Sequence, residues 1–316
     1  MDVPLVVVIA ACKQPALLRR TLASFAACDK PASYRGLIAV ENGPRSGLDQ
    51  VVAEFSREQR FTYQYSQPAN KSLALNRALA TAADALVVFT DDDVRVPSNT
   101  LVAYAEGAQG LTGGEFYGGP ILPDYEAGQP PQWLLPMLPR SAAGWKWDVT
   151  AKTQIHQPEF IGPNFAAFAA DVLRVGGFDT RLGPGRQMAC PGEDTEIQAR
   201  LLAAGVNGYY LPNAGMHHLV RAGSAGVPFA IERAERNGIY WGLDQARQRG
   251  FYPRRWLKIT GQWMNDGWRI RRWAKSGREA EQVRAQIMAA RWRGRWQGIR
   301  LAAQWTQSKT RSAQAA

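Results

Sequence analysis

The amino-acid sequence predicts an α/β fold with a mostly parallel sheet, followed by a helical, basic, tryptophan-rich C-terminal extension. Strand-like and helix-like patterns alternate through about the first 110 residues, which is typical of right-handed crossovers between parallel strands. An apolar run, Leu86 to Thr90, ends abruptly in three adjacent aspartates. The composition then changes near residues 220 to 230, where basic residues and tryptophans become frequent.

Each element of the N-terminal part follows from its residue pattern. The apolar run from Leu5 to Ala11 predicts a first buried strand, because it is too short to span a bilayer and lacks a basic leader. Pro15 suits the first turn of a helix, in which Leu18, Leu22 and Phe25 form one apolar stripe. The further predicted elements are a strand at 37–41, a helix at 46–57, a strand at 61–65, a helix at 71–82 and a strand at 86–90.

Length and cysteine usage limit the class of protein. A chain of 316 residues with 46% apolar residues is long enough for one large core and an appendage. Its three cysteines, Cys12, Cys28 and Cys190, are odd in number and lack the spacing of a metal site. We therefore predict no disulfide framework and a reducing, cytoplasmic location.

Charge is distributed unevenly along the chain. Residues 219–316 contain about 20 of the 38 Lys and Arg residues but only about 6 of the 27 acids, so the formal net charge of +11 belongs to this part. Eight of the 11 tryptophans lie there too. We predict an α/β domain at 1–222 and a helical region at 223–316.

Asp91, Asp92 and Asp93 form the first candidate site. They follow a predicted buried strand, and open α/β sheets bind ligands beyond the carboxyl ends of their strands. Adjacent carboxylates repel one another, and a hard divalent cation relieves that repulsion. The sequence thus predicts an Mg²⁺ or Mn²⁺ site. The alternative is a solvated turn whose acids cap the helix that begins near Pro97 and Ser98.

Nine short motifs follow one another in order between residue 3 and about residue 220. They are VVVIAACKQPALLRRTL near the start, VENGP at 40–44, NKSLALNRAL at 70–79, FTDDDV at 89–94, GGP at 118–120, GPNFAAF at 162–168, VGGFDTRLG at 175–183, GEDTEIQARLLAAG at 192–205 and HH at 217–218. The ordered set resembles the family 2 glycosyltransferases of the GT-A fold. That resemblance implies transfer of a sugar from a nucleotide diphosphate sugar, usually uridine-linked, to an acceptor hydroxyl with inversion and with a divalent metal.

The resemblance and the chemistry of the residues together suggest the donor site. Glu41, at the end of the second strand, is assigned to the base or ribose, although a surface acid before a turn is the alternative. Asn76 matches an asparagine of the family, and Asp91 and Asp93 form the pair that contacts ribose or sugar and the metal, respectively, while the place of Asp92 is left open. The other donor-binding positions that we predict are Ala10, Ala11, Gly119 and Asn164.

Two further motifs suggest the base and the remaining metal ligands. Glu193 and Asp194 open an amphipathic helix, which in isolation is only a favourable charge–dipole arrangement. The resemblance implies that Asp194 is the general base and that Glu193 supports it. His217 and His218 follow a candidate strand at 206–211, and imidazole suits Mn²⁺ better than Mg²⁺. Either histidine is a candidate ligand, and both being ordinary polar surface residues is the alternative.

Two segments lie outside these motifs. Trp133, Trp145 and Trp147 could stack on a sugar ring or pack against the sheet. The loop at 183–191 precedes the candidate base, and we expect it to close over the donor and exclude water.

The C-terminal region has three open interpretations. Its last helix places Ile287 or Met288, Trp292, Trp296, Ile299 and Ala303 on one side, with Arg291, Arg293, Arg295 and Arg300 beside them. This pattern suits peripheral attachment to an anionic inner membrane surface, packing on the catalytic core or in a homo-oligomer, or, less well, nucleic-acid binding. The acceptor would be a carbohydrate, a lipid-linked or a small molecule. A nucleotidyltransferase and a non-enzymatic basic membrane or nucleic-acid scaffold are the rival functions.

Overall fold

The computed structural model describes residues 3–184, 191–249 and 253–314. The chain divides into two compact units. The first comprises Met1–Glu126 and Arg140–Val220, and the second comprises Ala127–Pro139 and Arg221–Ala316. The larger segment of the second unit begins at Arg221, close to the boundary at 222 that the composition suggested. The smaller segment, residues 127–139, was not indicated by the composition.

The first unit contains eleven strands among the described residues. They are β1 Leu5–Ala11, β2 Tyr34–Asn42, β3 Phe61–Ser66, β4 Leu86–Thr90, β5 Val94–Arg95, β6 Glu115–Gly118, β7 Ile121–Tyr125, β8 Thr153–Ile155, β9 Phe165–Phe168, β10 Asn207–Tyr210 and β11 Met216–Val220. Eight of them form one sheet in the order β3-β2-β1-β4-β9-β6-β10-β8, and β5, β11 and β7 form a smaller sheet.

Ten α-helices lie within the described parts of the chain. They are α1 Pro15–Ala27, α2 Leu48–Gln59, α3 Lys71–Thr81, α4 Thr100–Gly107, α5 Arg140–Ala143, α6 Ala169–Arg174, α7 Glu193–Ala203, α8 Val227–Arg249, α9 Pro253–Ala274 and α10 Glu279–Gln314. The predicted α/β class, the mostly parallel sheet and the helical C-terminal region are confirmed.

Parallel pairing explains the long apolar runs of the sequence. Strand β1 pairs in parallel with both β2 and β4, and it is buried on both faces. Its side chains alternate between two cores, with Val7 and Ile9 in one and Val6 and Val8 in the other. A strand covered on both faces gains from apolar residues at every position. The carboxyl ends of β1, β2 and β4 consequently meet at one edge of the sheet.

Strand β9 interrupts the parallel order. It lies between β4 and β6 and runs antiparallel to both. The turn that precedes it, at 161–164, therefore lies beside the end of β4 and its three aspartates. Strand β9 therefore places the turn at 161–164, which is distant in sequence, next to the aspartates.

The second unit is built around a close helix crossing. Helices α8 and α10 approach so closely that a Cβ atom on Gly298 would lie 2.1 Å from the Ile239 carbonyl oxygen. Among the described residues, no helix is long and apolar enough to cross a membrane.

The apolar side of α10 is used for packing. Ile287 and Trp292 retain only 7% and 6% of their exposure. The Trp292 indole donates a hydrogen bond to Asp266 of α9 at 3.0 Å, and its ring lies against Trp296 with centroids 6.3 Å apart. This side of α10 therefore packs within the second unit, a partner that the sequence analysis did not consider beside the catalytic core and a second copy.

Candidate active site

The three aspartates lie in a turn between β4 and β5 that α1 holds in place. The Thr21 hydroxyl donates to the backbone carbonyls of Asp92 and Val94, both at 2.9 Å. The Leu219 amide of β11 donates to the Asp93 carbonyl at 2.8 Å. The aspartates are therefore fixed by two elements of the first unit and do not form a loose solvated turn.

Asp92 points towards the end of β1. Its carboxylate accepts a hydrogen bond from the Cys12 amide at 3.2 Å. Burial, followed by the negative charges of Asp93 and Asp91, raises the pKa of Asp92 to about 7, although the Cys12 amide opposes the shift. The neighbouring carboxylates of Asp92 and Asp93 thus repel each other, and a bound cation would reduce that repulsion.

Lys71 lies at the centre of the site, and the sequence reasoning missed it. Its ammonium contacts Asp91 at 2.5 Å and Glu193 at 3.5 Å, and its side chain is only 13% exposed. Burial alone would lower the pKa of Lys71, but the charges of Asp91, Glu193 and Asp194 outweigh burial and raise it. The available sequence signal was a lysine at the first position of the helix that carries Asn76.

Glu193 and Asp194 begin α7, and Glu193 lies 3.5 Å from the Lys71 ammonium. Burial, with a contribution from Asp194, raises the pKa of Glu193, and Lys71 opposes that shift. Asp194 accepts a hydrogen bond from the Gly162 amide at 2.6 Å. The predicted base is therefore held by the backbone of the turn before β9.

Gly162 allows these groups to converge. A Cβ atom at this position would lie 3.0 Å from the Lys71 ammonium, 3.6 Å from an Asp91 carboxylate oxygen and 3.7 Å from an Asp194 carboxylate oxygen. The glycine thus borders charged groups from three separate elements. Lys71, Gly162, Glu193 and Asp194 line a small pocket together with four apolar side chains, which are Leu75, Phe89, Phe165 and Phe178.

Asn76 positions the chain rather than reaching into this pocket. Its amide donates to the Phe178 carbonyl at 2.9 Å and accepts from the Phe178 amide at 2.7 Å. A Cβ atom on Gly177 would lie 2.7 Å from the Asn76 oxygen. The side chain that we assigned to the donor therefore holds the backbone of the segment before α7.

The same helix grips that segment at two more points. Asn70, which caps α3, donates to the Thr180 carbonyl at 2.8 Å. Ser72 donates to the Leu182 carbonyl at 3.0 Å. Three polar side chains of α3 thereby hold a stretch of backbone that leads towards Glu193. The loop prediction at 183–191 falls largely on residues 185–190, which lie outside the described part of the chain.

Asn164 and Gly119 also fasten backbone segments together. Asn164 accepts a hydrogen bond from the Tyr104 hydroxyl and donates to the Pro120 and Ala214 carbonyls at 3.1 and 2.7 Å. A Cβ atom on Gly119 would lie 2.1 Å from the Ala214 carbonyl oxygen. Both predicted donor residues thus lie against the chain that leads into β11.

Glu41 is buried and ordered by its neighbours. One carboxylate oxygen accepts from the Ser46 amide at 2.6 Å and from the Ser46 hydroxyl at 2.7 Å, and the other accepts from Tyr63 at 2.5 Å. Ala11 lies opposite Glu41 in the β1–β2 pairing, and the side chains of Ala10 and Ala11 are buried. A ligand would meet these alanines through the backbone at the end of β1.

The two histidines lie in β11, where successive side chains point to opposite faces. His218 approaches Asp93, with Nε2 3.4 Å from a carboxylate oxygen. His217 lies nearer Arg95 and Asp124; burial and Arg95 lower its pKa, and Asp124 opposes the shift. The structure therefore brings one of the two candidate ligands to the aspartates.

Asp93 and His218 fit a divalent metal by their chemistry. Carboxylate oxygen and imidazole nitrogen are the donor types that suit Mn²⁺. Among the described residues, the buried Nδ1 of His218 has no hydrogen-bond partner. No three His, Cys, Asp or Glu side chains within the described ranges are grouped to enclose an ion. A cation here would take its remaining ligands from substrate or water.

Two of the three tryptophans considered for sugar stacking pack inside the first unit. Trp145 lies edge-on to Phe160 and Tyr210, with ring centroids 6.0 and 5.5 Å apart. Trp147 stacks on Tyr210 at 5.3 Å. Of the two interpretations open from the sequence, the structure favours packing for Trp145 and Trp147.

Comparison with known proteins adds independent information. The family model described as glycosyltransferase-like family 2 matches residues 3–238. A search of curated protein sequences finds no match.

Several solved structures resemble this chain at low sequence identity. One is the mannosyltransferase PcManGT from Pyrobaculum calidifontis in complex with GDP-Man and Mn²⁺; it is 17% identical, the match covers 95% of this chain and 88% of that one, and the TM-score is 0.58. GalNAc-T7 with UDP, GalNAc and Mn²⁺ is 14% identical over 90% of this chain and 54% of that one, with a TM-score of 0.52. Residues 1–349 of S. aureus TarS are 13% identical; the match covers 96% of this chain and 92% of that one, and the TM-score is 0.52. At these identities the likeness concerns the fold.

Proposed function

Since the chain belongs to glycosyltransferase-like family 2, we propose that it transfers a sugar from a nucleoside diphosphate sugar to an acceptor hydroxyl with inversion at the anomeric carbon. The observation that carries the proposal is the convergence of Asp91, Glu193 and Asp194 around Gly162 and Lys71. Carboxylates from the end of β4 thereby face carboxylates from the start of α7 across a single glycine.

The donor half of the site lies at the ends of the parallel strands. Asp91 would contact the ribose or the sugar, and Glu41 would contact the base or ribose from the end of β2. We favour a uridine nucleotide on the resemblance of the motifs, while GDP-Man is bound by one structural neighbour and UDP by another. Both nucleotides therefore belong in the first binding test.

Asp93 and His218 would hold Mn²⁺ or Mg²⁺, with Mn²⁺ preferred because one ligand is an imidazole. Neighbouring proteins of this fold were solved with Mn²⁺. A cation bound there offsets the negative charge that collects on the diphosphate as it departs. His217, on the other face of β11, is left out of the proposed ligand set.

Asp194 is the proposed general base. The acceptor oxygen forms a bond to the anomeric carbon while the bond from that carbon to the diphosphate oxygen breaks, and the diphosphate keeps the electron pair. The acceptor proton passes to Asp194, whose Oδ2 is held by the Gly162 amide at 2.6 Å and whose Oδ1 accepts from the Thr195 amide at 2.8 Å. Glu193 supports the acceptor side, and Lys71 holds Glu193 and Asp91 facing each other.

The proposed acceptor is a carbohydrate, a lipid-linked molecule or a small molecule. We propose a cytoplasmic location, which agrees with the free thiols of the two described cysteines, Cys12 and Cys28. The apolar side of α10 is engaged in packing, so it gives no support to a homo-oligomer through that surface.

Calorimetry with nucleoside diphosphates tests the donor site directly. UDP and GDP would each be titrated into the protein with and without Mn²⁺. We expect metal-dependent binding of one nucleotide, abolished by Asp93→Ala and retained in Arg77→Ala, since Arg77 is exposed on α3. Absence of binding by both nucleotides and by dTDP, with and without Mn²⁺, would refute the proposal of a nucleoside diphosphate donor.

A further inference from the structure

Helix α9 has two apolar faces on opposite sides. The inner face includes Ile259, which is 7% exposed, and Asp266, which accepts the hydrogen bond from Trp292 of α10. The outer face includes Leu257, Met264 and Trp268, spaced at i, i+7 and i+11 on one stripe. A helix that only covered a core would need one apolar face.

The outer stripe is exposed to an unusual degree. Leu257, Met264 and Trp268 retain 70%, 69% and 60% of their exposure. Large apolar side chains gathered on one exposed face mark an interaction surface more often than scattered ones do. We call Leu257, Met264 and Trp268 the outer stripe.

Cations surround the outer stripe. Among the residues of α9 whose exposure the structure describes, the exposed basic ones are Lys258, Arg269, Arg271 and Arg272. The Arg272 guanidinium lies 5.5 Å from the centroid of the Trp268 ring. Asp266, the single acid in the sequence of α9, is turned towards α10. The outer surface of this helix thus combines apolar side chains with positive charge alone.

We propose that α9 binds lengthwise to an anionic membrane surface, with the outer stripe inserted at the level of the lipid headgroups and the four cations against lipid phosphates. A helix of this length extends about 33 Å along the surface. Tryptophan is stabilised at headgroup depth, and basic side chains keep their charge in water while their stems cover apolar area.

The charge pattern decides between this partner and two others. In a twofold contact between copies the same patch faces itself, so the four cations of each copy would repel those of the other. Nucleic acid would attract the cations but leaves Leu257 and Met264 without an apolar partner. An anionic bilayer satisfies both parts of the surface.

Vesicle sedimentation tests the proposal without reference to transferase activity. The full-length protein would be mixed with vesicles of phosphatidylcholine alone and of phosphatidylcholine with phosphatidylglycerol, at low salt and in about 1 M salt, where the Debye length is about 3 Å. We expect binding only to the anionic vesicles, strongly reduced by salt. Blue-shifted tryptophan emission should accompany binding if Trp268 enters the lipid.

Matched variants separate the outer stripe from general positive charge. The triple variant Leu257→Gln, Met264→Gln and Trp268→Gln should weaken vesicle binding at least about a hundredfold. Replacing Lys258, Arg269 and Arg272 by Gln should also weaken it. Replacing three exposed arginines outside α9 by Gln should have less than a tenth of either effect; these are Arg278, Arg284 and Arg300.

Three results would overturn the proposal. The first is no sedimentation with anionic vesicles at low salt. The second is unchanged vesicle binding by the triple variant of the outer stripe, with helical circular dichroism confirming that it folds. The third is a wild-type dimer in solution that the triple variant converts to a monomer, which would assign the outer stripe to a second copy of the chain.

Discussion

Alanine in place of Gly294 should force apart the two helices that cross in the second unit. A Cβ atom at this position would lie 1.9 Å from the Glu235 carbonyl oxygen, whereas ordinary van der Waals contact begins at 3.4 Å. The obstructing atom belongs to the backbone of α8 and cannot rotate away. At three further glycines a Cβ atom would likewise lie 2.1 to 2.2 Å from a carbonyl oxygen of the facing helix; they are Gly238, Gly242 and Gly298.

Two opposing effects determine how much Gly294→Ala changes the free energy of unfolding. Overpacking of a well-filled contact costs about 1 to 3 kcal/mol. Alanine favours a helix interior over glycine by about 1 kcal/mol. We expect Gly294→Ala to lower the free energy of unfolding by up to about 2 kcal/mol, with the largest value if α10 cannot shift along α8.

Gly267→Ala is the matched control. Gly267 lies inside α9, and a Cβ atom there would meet nothing within 4 Å. The same substitution should therefore raise the stability of α9 by up to about 1 kcal/mol. Urea unfolding followed by far-ultraviolet circular dichroism compares the two variants with the wild type. Equal stability of Gly294→Ala and Gly267→Ala would refute the close crossing of α8 and α10.

The remaining predictions concern the site. Asp194→Asn should lower kcat at least about a hundredfold while nucleotide binding by calorimetry stays unchanged; turnover within about tenfold of the wild type would contradict its role as base. Lys71→Met should lower the free energy of unfolding by about 3 kcal/mol, the lower end for a buried ion pair because Asp91 keeps 24% exposure, and Arg77→Met, on the exposed face of the same helix, should not. Because folding raises the pKa of Asp92 to about 7, its protonated form is favoured in the folded state, so its contribution to stability is present below about pH 4 and is lost as pH rises through about 7. In metal-free protein the Tm advantage of Asp92→Asn over the wild type should therefore grow as pH rises from about 5 to about 8, and a constant difference would contradict the shift.

The sequence predicted the main sheet because its strands are buried on both faces. Continuous apolar runs such as Leu5–Ala11 and Leu86–Thr90 coincide with the strands of the structure. The second helix begins at Leu48 and not at 46, because Gly47 adopts a left-handed backbone conformation with φ of 84°. The enzyme class, a glycosyltransferase, is confirmed by the family match.

The short strands and the antiparallel pairings could not be predicted from residue patterns. Strand β5 has two residues and β9 has four, too few for a periodicity to be measured. The order β4-β9-β6 depends on contacts between distant segments that no local pattern encodes. His217 and His218 follow β10, close to the strand predicted at 206–211, but they lie inside a further strand, β11, which the sequence analysis did not predict.

Within the site, residue types could be anticipated but pairings could not. The acids at Asp91 and Glu193 were visible, but their contact with Lys71 requires α3, β4 and α7 to meet. The sequence analysis assigned Asn76 to the donor. Its hydrogen bonds to Phe178 join residues 102 positions apart, so no local pattern indicates them. The glycine pairs of α8 and α10 were readable as a repeat at four-residue spacing, and that signal was missed.

The hydrogen bonds from α3 and its cap to the segment before α7 limit how enzymes of this kind can change their acceptor. Asn70, Ser72 and Asn76 all hold main-chain atoms of the segment at 178–182. Within the segment, Arg181 adds an ion pair with Asp179 at 2.7 Å. A protein engineer who seeks new acceptors would therefore keep Asn70, Ser72, Asn76 and this ion pair, so that the acids that follow in the chain stay in place.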